Sequence, residues 1–195
     1  MSTIESRAAT SDPVETARSL SELIRESAAE SEQQCFLADG VVEALRRGGL
    51  FATLVPSCLG GLEADPVTAI EVVAEVSRSD GSTGWTLMAN MVTSAIAGAY
   101  LGDEAVERIF AEGPHVPCAG QLAPKGVAVW EDGRWRIQGR FGFGSGSRHA
   151  QWMLGGFREI RDGEAERLEN GLPSVLGVFV PRSGVKLLGN WDVLG

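Results

Sequence analysis

Residues 81–102 read GSTGWTLMANMVTSAIAGAYLG, a stretch without a single charge. A run of this length is either a membrane span or a helix surrounded by protein. A span wants a dense Leu/Ile/Val run. Here Ser82, Thr83, Thr86, Asn90, Thr93 and Ser94 are interspersed with four glycines, so the stretch reads as a buried core helix and no membrane partner is expected. Ser82 or Thr83 is placed at its start and Tyr100 at its end, with Trp85, Met88 and Met91 along it.

Upstream, Asp12-Pro13 and Asp65-Pro66 have one form: an Asp N-cap, then Pro at the first helical position, where a missing N–H is no loss. After the first, Val14, Ala17, Leu20, Ile24 and Ala28 recur at helical spacing; after the second, Val67, Ile70, Val73, Ala74 and Ser77 line one face. Another helix covers roughly 37–47, with Val41, Val42 and Leu45 inward, and Gly48-Gly49 ends it. Leu50 to Pro56 is a short extended or irregular piece, and Gly60-Gly61 a turn. Downstream, Asp103 caps a short helix carrying Val106, Ile109 and Phe110. The sequence thus predicts five helices.

Past Pro114 the hydrophobic period drops to two. Val127 to Trp130, a turn at Glu131-Asp132-Gly133, and Arg134 to Gln138 read as a hairpin, Trp135 and Ile137 facing one way and Arg134 and Arg136 the other. Gln151 to Phe157 is a strand, Arg161 to Pro173 a charged loop, Val175 to Val180 an apolar strand, and Val185 to Leu188 starts one more. Residues 1–112 hold 9 glycines and residues 113–195 hold 16. A helical domain, 1–112, is therefore expected before a β domain, 113–195.

The 195-residue chain is 44% hydrophobic and 22% charged. That composition excludes collagen-like, disordered and disulfide-scaffold classes. The 17 basic residues against 26 acidic ones give a net charge of −9. Such a surface repels phosphate backbones, so nucleic acid is not expected as a partner. Cys35, Cys58 and Cys118 are odd in number and lack C-x-x-C spacing, as in the reduced thiols of a cytoplasmic protein. The polar start, Met1 to Pro13, carries no apolar core of a signal peptide.

Chemistry-bearing patterns are few. His115-x-x-Cys118 has a local ligand spacing, but there is no second pair, and metal is not expected. Ser145 and His149 sit four apart without a G-x-S-x-G elbow. Residues 141–147, FGFGSGS, are neither a P-loop nor a dinucleotide fingerprint. They alternate small residues with aromatics along what reads as a strand end. Glycine there lets a flat ligand or another backbone come close, and the Ser145 hydroxyl could bond a ring heteroatom. A bent, tightly packed strand is the other reading.

Val55-Pro56 followed by Gly60-Gly61 resembles the proline and double glycine after the second helix of the acyl-CoA dehydrogenase family. Asp80-Gly81-Ser82-Thr83-Gly84-Trp85 resembles the start of its long central helix. Gly139-Arg140-Phe141-Gly142-Phe143-Gly144-Ser145-Gly146, with His149-Ala150-Gln151-Trp152 after it, is similar to a segment of the family's flavin-dependent monooxygenase branch. Order and spacing fit over nearly the whole chain. The resemblance implies an α+β fold: an all-α N-terminal domain, then an antiparallel β-barrel-like domain, here incomplete. A C-terminal four-helix bundle would follow, with flavin between the last two. The sequence stops at Trp191-Asp192-Val193-Leu194-Gly195, where relatives continue, so the bundle is expected to be absent.

The resemblance also implies roles. Ser145 is the catalytic residue, its hydroxyl on flavin N5. Phe143 and Gly146 lie beside the flavin, and Gly120, Gln121, Leu122 and Ala123 meet its pyrimidine edge. Trp85, Met88, Thr93 and His149 line the substrate pocket. Leu122-Ala123-Pro124 stands where dehydrogenases have Thr-Glu-Pro, closer to the monooxygenase pattern. Thr93, eight positions after Trp85, stands where aromatic hydroxylases carry histidine, which argues against phenol hydroxylation. The implied cofactor is flavin, FAD or FMN. The implied partners are a small-molecule substrate, a flavin reductase, and further copies of the chain or a missing C-terminal half.

The leading function is flavin C4a-hydroperoxide chemistry on a small organic substrate. A dry wall from Trp85, Met88 and Met91 would serve it by excluding the water that lets peroxide leak. The alternatives are α,β-dehydrogenation of an acyl-CoA thioester, or a non-catalytic truncated or split-gene interaction protein. Without a bundle, an open strand edge and an uncovered apolar face are expected to drive association, and flavin affinity to fall. Size-exclusion chromatography followed at the flavin band checks this: aggregates or oligomers without flavin are expected, and a yellow monomer would overturn the expectation.

Overall fold

The computed structural model describes residues 12–190. The polar start before Asp12 and the closing Trp191–Gly195 segment, both used above, lie outside the described residues. Among the described residues no helix is long and apolar enough to cross a membrane.

The first apolar face is carried by three short helices rather than one: α1 (Pro13–Ser19), α2 (Ser21–Glu26) and α3 (Ala28–Gln34). The breaks fall at Leu20 and Ser27, whose ψ of −3° flattens the helical path without reversing it. Ala17 and Ile24 therefore still reach one core, with Val14 and Leu20 against it. α4 (Asp39–Arg47) buries Val41, Val42 and Leu45 as expected. The following segment is not extended. Leu50–Ala52 is a 3₁₀ turn, and Leu50, Phe51, Ala52 and Val55 are all at most 1% exposed. Leu62, Glu63 and Ala64 donate their N–H groups to Ala52, Val55 and Thr53, which satisfies the buried carbonyls of this knot.

α5 (Pro66–Ser79) starts as expected, with Asp65 accepting from the Val67 and Thr68 N–H groups. Its buried face, however, is Ala69, Val72 and Val76, while Val67 and Ile70 are 64% and 68% exposed. The helix has two apolar stripes, and periodicity does not say which one meets the core. α6 (Gly81–Tyr100) is the uncharged helix; it starts at Gly81, just before the expected Ser82 or Thr83, and its cap is Asp80, whose Oδ2 accepts from the Thr83 N–H at 2.7 Å. α7 (Asp103–Ile109) has Gly102 at its N-cap with no side-chain bond, so Asp103 sits in the first turn instead of capping it. Among the described residues seven α-helices thus stand where five were expected.

Five strands follow: β1 (Cys118–Glu131), β2 (Arg134–Gly139), β3 (Trp152–Arg161), β4 (Glu164–Ala165) and β5 (Val175–Pro181). β1 and β2 form the expected hairpin, closed by Asp132 and Gly133, both at positive φ as a type I′ turn needs. β4 and β5 both pair with β3, antiparallel. β1 and β3, however, run parallel, so the sheet is mixed rather than antiparallel throughout. The chain between β2 and β3 accordingly makes a crossover, and the stretch read as a strand end, 141–147, is loop. Val185–Leu188 forms no strand either; a 3₁₀ turn at Arg182–Gly184 precedes it. The overall class is α+β.

Helices and sheet share one packing centre: Ala52, Val55, Ala97, Ile109, Phe110, Val116 and Cys118, with Trp152 and Phe179 against it. α5 and α6 cross closely because Gly84 has no side chain: a Cβ there would lie 1.9 Å from Ser77 Oγ and 2.9 Å from its Cα. Gly84→Ala is expected to destabilise the chain by about 1–3 kcal/mol. Gly81→Ala, with nothing within 4 Å of the new methyl, is expected to be neutral or slightly stabilising. Urea unfolding of the two variants checks the contrast.

Candidate functional site

Asn90 is fully buried in the middle of α6. A buried amide needs partners, and its Nδ2 donates to the Cys118 carbonyl at 2.9 Å and to the Ser145 carbonyl at 3.4 Å. Its Oδ1 has no donor among the described residues. One turn on, Ser94 Oγ accepts from the Cys118 N–H at 3.0 Å and lies 2.7 Å from the Val116 carbonyl, to which it can donate. Two polar side chains of α6 thus hold the backbone at the start of β1 from the helix, while β3 pairs with it in the sheet.

The 140–151 segment docks on the same helix. Ser147 donates to the Gly144 carbonyl, and His149 and Ala150 both donate to that of Gly146, making a tight turn. Gly146 has φ +71°, and a Cβ on it would sit 2.3 Å from Asn90 Oδ1, so only glycine fits between loop and helix. Trp85 Nε1–H donates to Ser145 Oγ at 2.8 Å. An indole N–H is donor only, so Ser145 is the acceptor, and its own O–H has no acceptor among the described residues. Phe143 is 77% exposed and held at φ +55°, an unusual conformation for a bulky residue. A Cβ at Gly142 would meet nothing within 4 Å, which leaves bare backbone facing outward.

The β1 end joins this face. The parallel register of β1 on β3 shifts between Gln121 and Pro124 and again before Gly126. Leu122 and Ala123 therefore lack a paired position and are exposed. Gly120, at φ +130°, would put a Cβ 2.0 Å from the Leu154 carbonyl, so the strands approach as they do only through glycine. The Gln121 side chain donates to the Gly142 carbonyl and ties this bulged edge to the loop.

The expected site residues are thus only partly brought together. Trp85 meets Ser145, Gln121 meets the loop of Phe143, and Gly146 meets the helix that carries Met88, which is half-buried. Met91, expected in the same wall as Trp85 and Met88, is 2% exposed and lies in the core. Thr93 is buried, its hydroxyl donating to the Ala89 carbonyl of its own helix. His149 is turned toward the α3–α4 junction. Its ring lies 6.1 Å from that of Phe36, over whose face Arg148 sits at 4.1 Å, and its Nε2 is buried without a hydrogen-bond partner among the described residues. Cys118 is buried, which pushes its thiol up to about 12 and leaves it inert. Two shallow depressions, of about 250 and 270 Å³, are lined by none of the expected site residues. Asn90 and Ser94 were missed as site residues. The signal was present: both are polar, four apart, in a helix otherwise built for burial.

An α+β chain with this central helix and this loop has counterparts. Residues 14–111 match the family described as "Acyl-CoA dehydrogenase, N-terminal domain". This chain belongs to the acyl-CoA dehydrogenase family. A pigment production hydroxylase of a Rhodococcus species is 33% identical over 175 residues, covering 87% of this chain and 42% of the relative. The flavin-dependent monooxygenase oxygenase subunit HsaA of Mycobacterium tuberculosis is 32% identical over 179 residues, 88% of this chain and 42% of its own. The crystal structure of that monooxygenase superposes with a TM-score of 0.86 over 95% of this chain and 49% of that one, at 28% identity. XiaF from a Streptomyces species, solved with FADH2 and glycerol, gives 0.83 at 25% identity, covering 95% of this chain and 45% of its own. The chain spans less than half the length of these relatives.

Burial holds the pKa of His149 below the ordinary value, Arg148 and Arg46 adding to the effect and Asp39 opposing it. Burial and Arg46 lower that of His115 as well. An unfolded histidine titrates near 6.5, so just below that pH the unfolded chain binds more protons than the folded one, and stability falls with pH. The fall is expected to begin as pH drops through about 6.5 and to end below the depressed folded values. Glu63, Asp65 and Glu159, held low by hydrogen bonds, act at more acid pH. Urea midpoints at neutral and mildly acid pH should converge in a His115→Gln/His149→Gln double variant; an unchanged pH slope there would contradict the assignment.

Proposed function

We propose that this chain forms one wall of the flavin site of a two-component monooxygenase, with Ser145 on the N5 edge of the ring. The observation that carries the reading is the Ser145 hydroxyl. Trp85 fills one lone pair and fixes its orientation, and its own proton and second lone pair are uncommitted among the described residues. A hydroxyl so held can donate to the bare ring nitrogen of oxidised flavin and accept from the N–H of reduced flavin. Gly142 and Gly144 leave the backbone open to a flat ring, and the unpaired backbone around Leu122 and Ala123 offers amide groups to its pyrimidine edge. Bound flavin would supply the electrons that activate dioxygen; this chain's residues would orient the ring and keep water off it, with Trp85 and Met88 as apolar cover.

The names of the relatives support the class. HsaA is an oxygenase subunit, and another relative is the oxygenase component of an FADH(2)-dependent resorcinol hydroxylase. Reduced flavin from a separate reductase is therefore part of the proposal, as are a small organic substrate, a cytoplasmic location and the division into parts 1–112 and 113–195. Thr93 and Leu122-Ala123-Pro124 weigh against phenols and acyl-CoA thioesters as that substrate.

Titration with oxidised and reduced FMN and FAD, carried to millimolar flavin, tests the reading. Ser145→Ala should weaken binding about fivefold, the scale of one hydrogen bond, and raise peroxide release per reduced flavin consumed. Identical affinity and identical peroxide yield in wild type and variant would remove Ser145 from the site. Anaerobic bleaching of bound flavin by a saturated acyl-CoA would replace the oxygenase reading with dehydrogenation.

A further inference from the structure

We infer that Asn90 is a positioning residue that sets the Ser145 loop against the β1 edge. One amide nitrogen reaches carbonyls on both, Cys118 at 2.9 Å and Ser145 at 3.4 Å. Cys118 lies two residues before Gly120, where the bulged edge begins. The two backbone segments proposed to meet the N5 and pyrimidine edges of the flavin are thus tied through a single side chain on a third element. Nothing in the strand pairing sets this distance, because Ser145 lies in no strand and pairs with none.

Two features separate this role from plain core filling. First, Asn90 Oδ1 is buried without a donor among the described residues. An apolar side chain of the same size would remove that orphan but leave the Cys118 and Ser145 carbonyls without this donor, so what asparagine supplies here is the tie between them and not a fully satisfied amide. Second, Gly146 lies against the amide so closely that a Cβ would be 2.4 Å from Nδ2. Helix and loop are in contact here, and Trp85, five residues earlier on α6, makes a second tie to the loop at Ser145. With the Asn90 tie removed, the Ser145 carbonyl loses its donor and the Trp85–Ser145 bond loses its fixed geometry. Ser94 holds β1 from the same helix without touching the loop, which makes it the control.

The flavin consequences rest on the proposed function; the loop geometry does not. The test therefore reads Trp85 first. The Trp85 contribution to fluorescence, taken as the difference from Trp85→Phe in each background, should shift in Asn90→Leu and in Asn90→Ala. It should stay in place in Ser94→Ala, although urea unfolding will show that variant to be destabilised too. Flavin titration is second: Asn90→Leu should weaken binding about fivefold in the wild-type background and much less in Ser145→Ala, where the contact it positions is already gone. Unchanged Trp85 emission in a folded Asn90 variant overturns the inference, as does an equal shift in Ser94→Ala. If no form binds flavin, a Trp85 shift confined to the Asn90 variants still supports the positioning role, and the flavin reading alone fails.

Discussion

Backbone groups that leave a sheet must find partners elsewhere, and in this chain they find them on α6. The 140–151 loop and the start of β1 both lie against a helix surface, the loop with no strand pairing and β1 paired there with β3 alone. Helix surfaces offer no free N–H or C=O, so side chains have to supply the bonds. Asn90 and Ser94 do so, one turn apart. The absence of charge along α6 follows from the same arrangement. A helix packed by α5 on one side and by β1 on another tolerates short neutral polar groups that can be satisfied locally, whereas a buried charge would need a partner that this geometry does not provide.

Glycine supplies the other half of the arrangement. Side-chain bonds from a helix to a backbone require that backbone to come close, and Gly146 and Gly120 permit it at the two places where the loop and the sheet edge converge. The result is a face with uncommon features in one neighbourhood: a serine hydroxyl oriented by an indole, an aromatic residue held at positive φ, and strand positions freed by a register shift. Each departs from the lowest-energy local choice. Departures of this kind persist where the surrounding structure over-determines them, and they gather at sites that bind.

The α5 helix shows how the packing partner, and not the local pattern, selects a face. Its stripe of Val67 and Ile70 is as apolar as the one it buries, yet the Ser77–Gly84 contact lets the other side approach α6. The chain therefore presents apolar side chains outward on α5 and, through Trp85 and Val92, on α6.

By itself the sequence determined the helix-then-strand order, the Asp-Pro helix starts, the β1–β2 hairpin and the family. These rest on local signals: caps within one turn, a period of 3.6 or 2, and residues adjacent in the chain. It also singled out Ser145, because glycines and aromatics around a lone serine are unusual whatever the fold. Tertiary structure alone decided the rest. The parallel pairing of β1 with β3 depends on a crossover between distant residues. His149 belongs with Phe36 and not with Ser145, since a tight turn at Gly146 redirects the chain between them. Asn90 became legible only when the carbonyls of Cys118 and Ser145, 28 and 55 residues away along the chain, were seen to meet it; a buried amide reveals its purpose through the groups it touches, and those are fixed by packing.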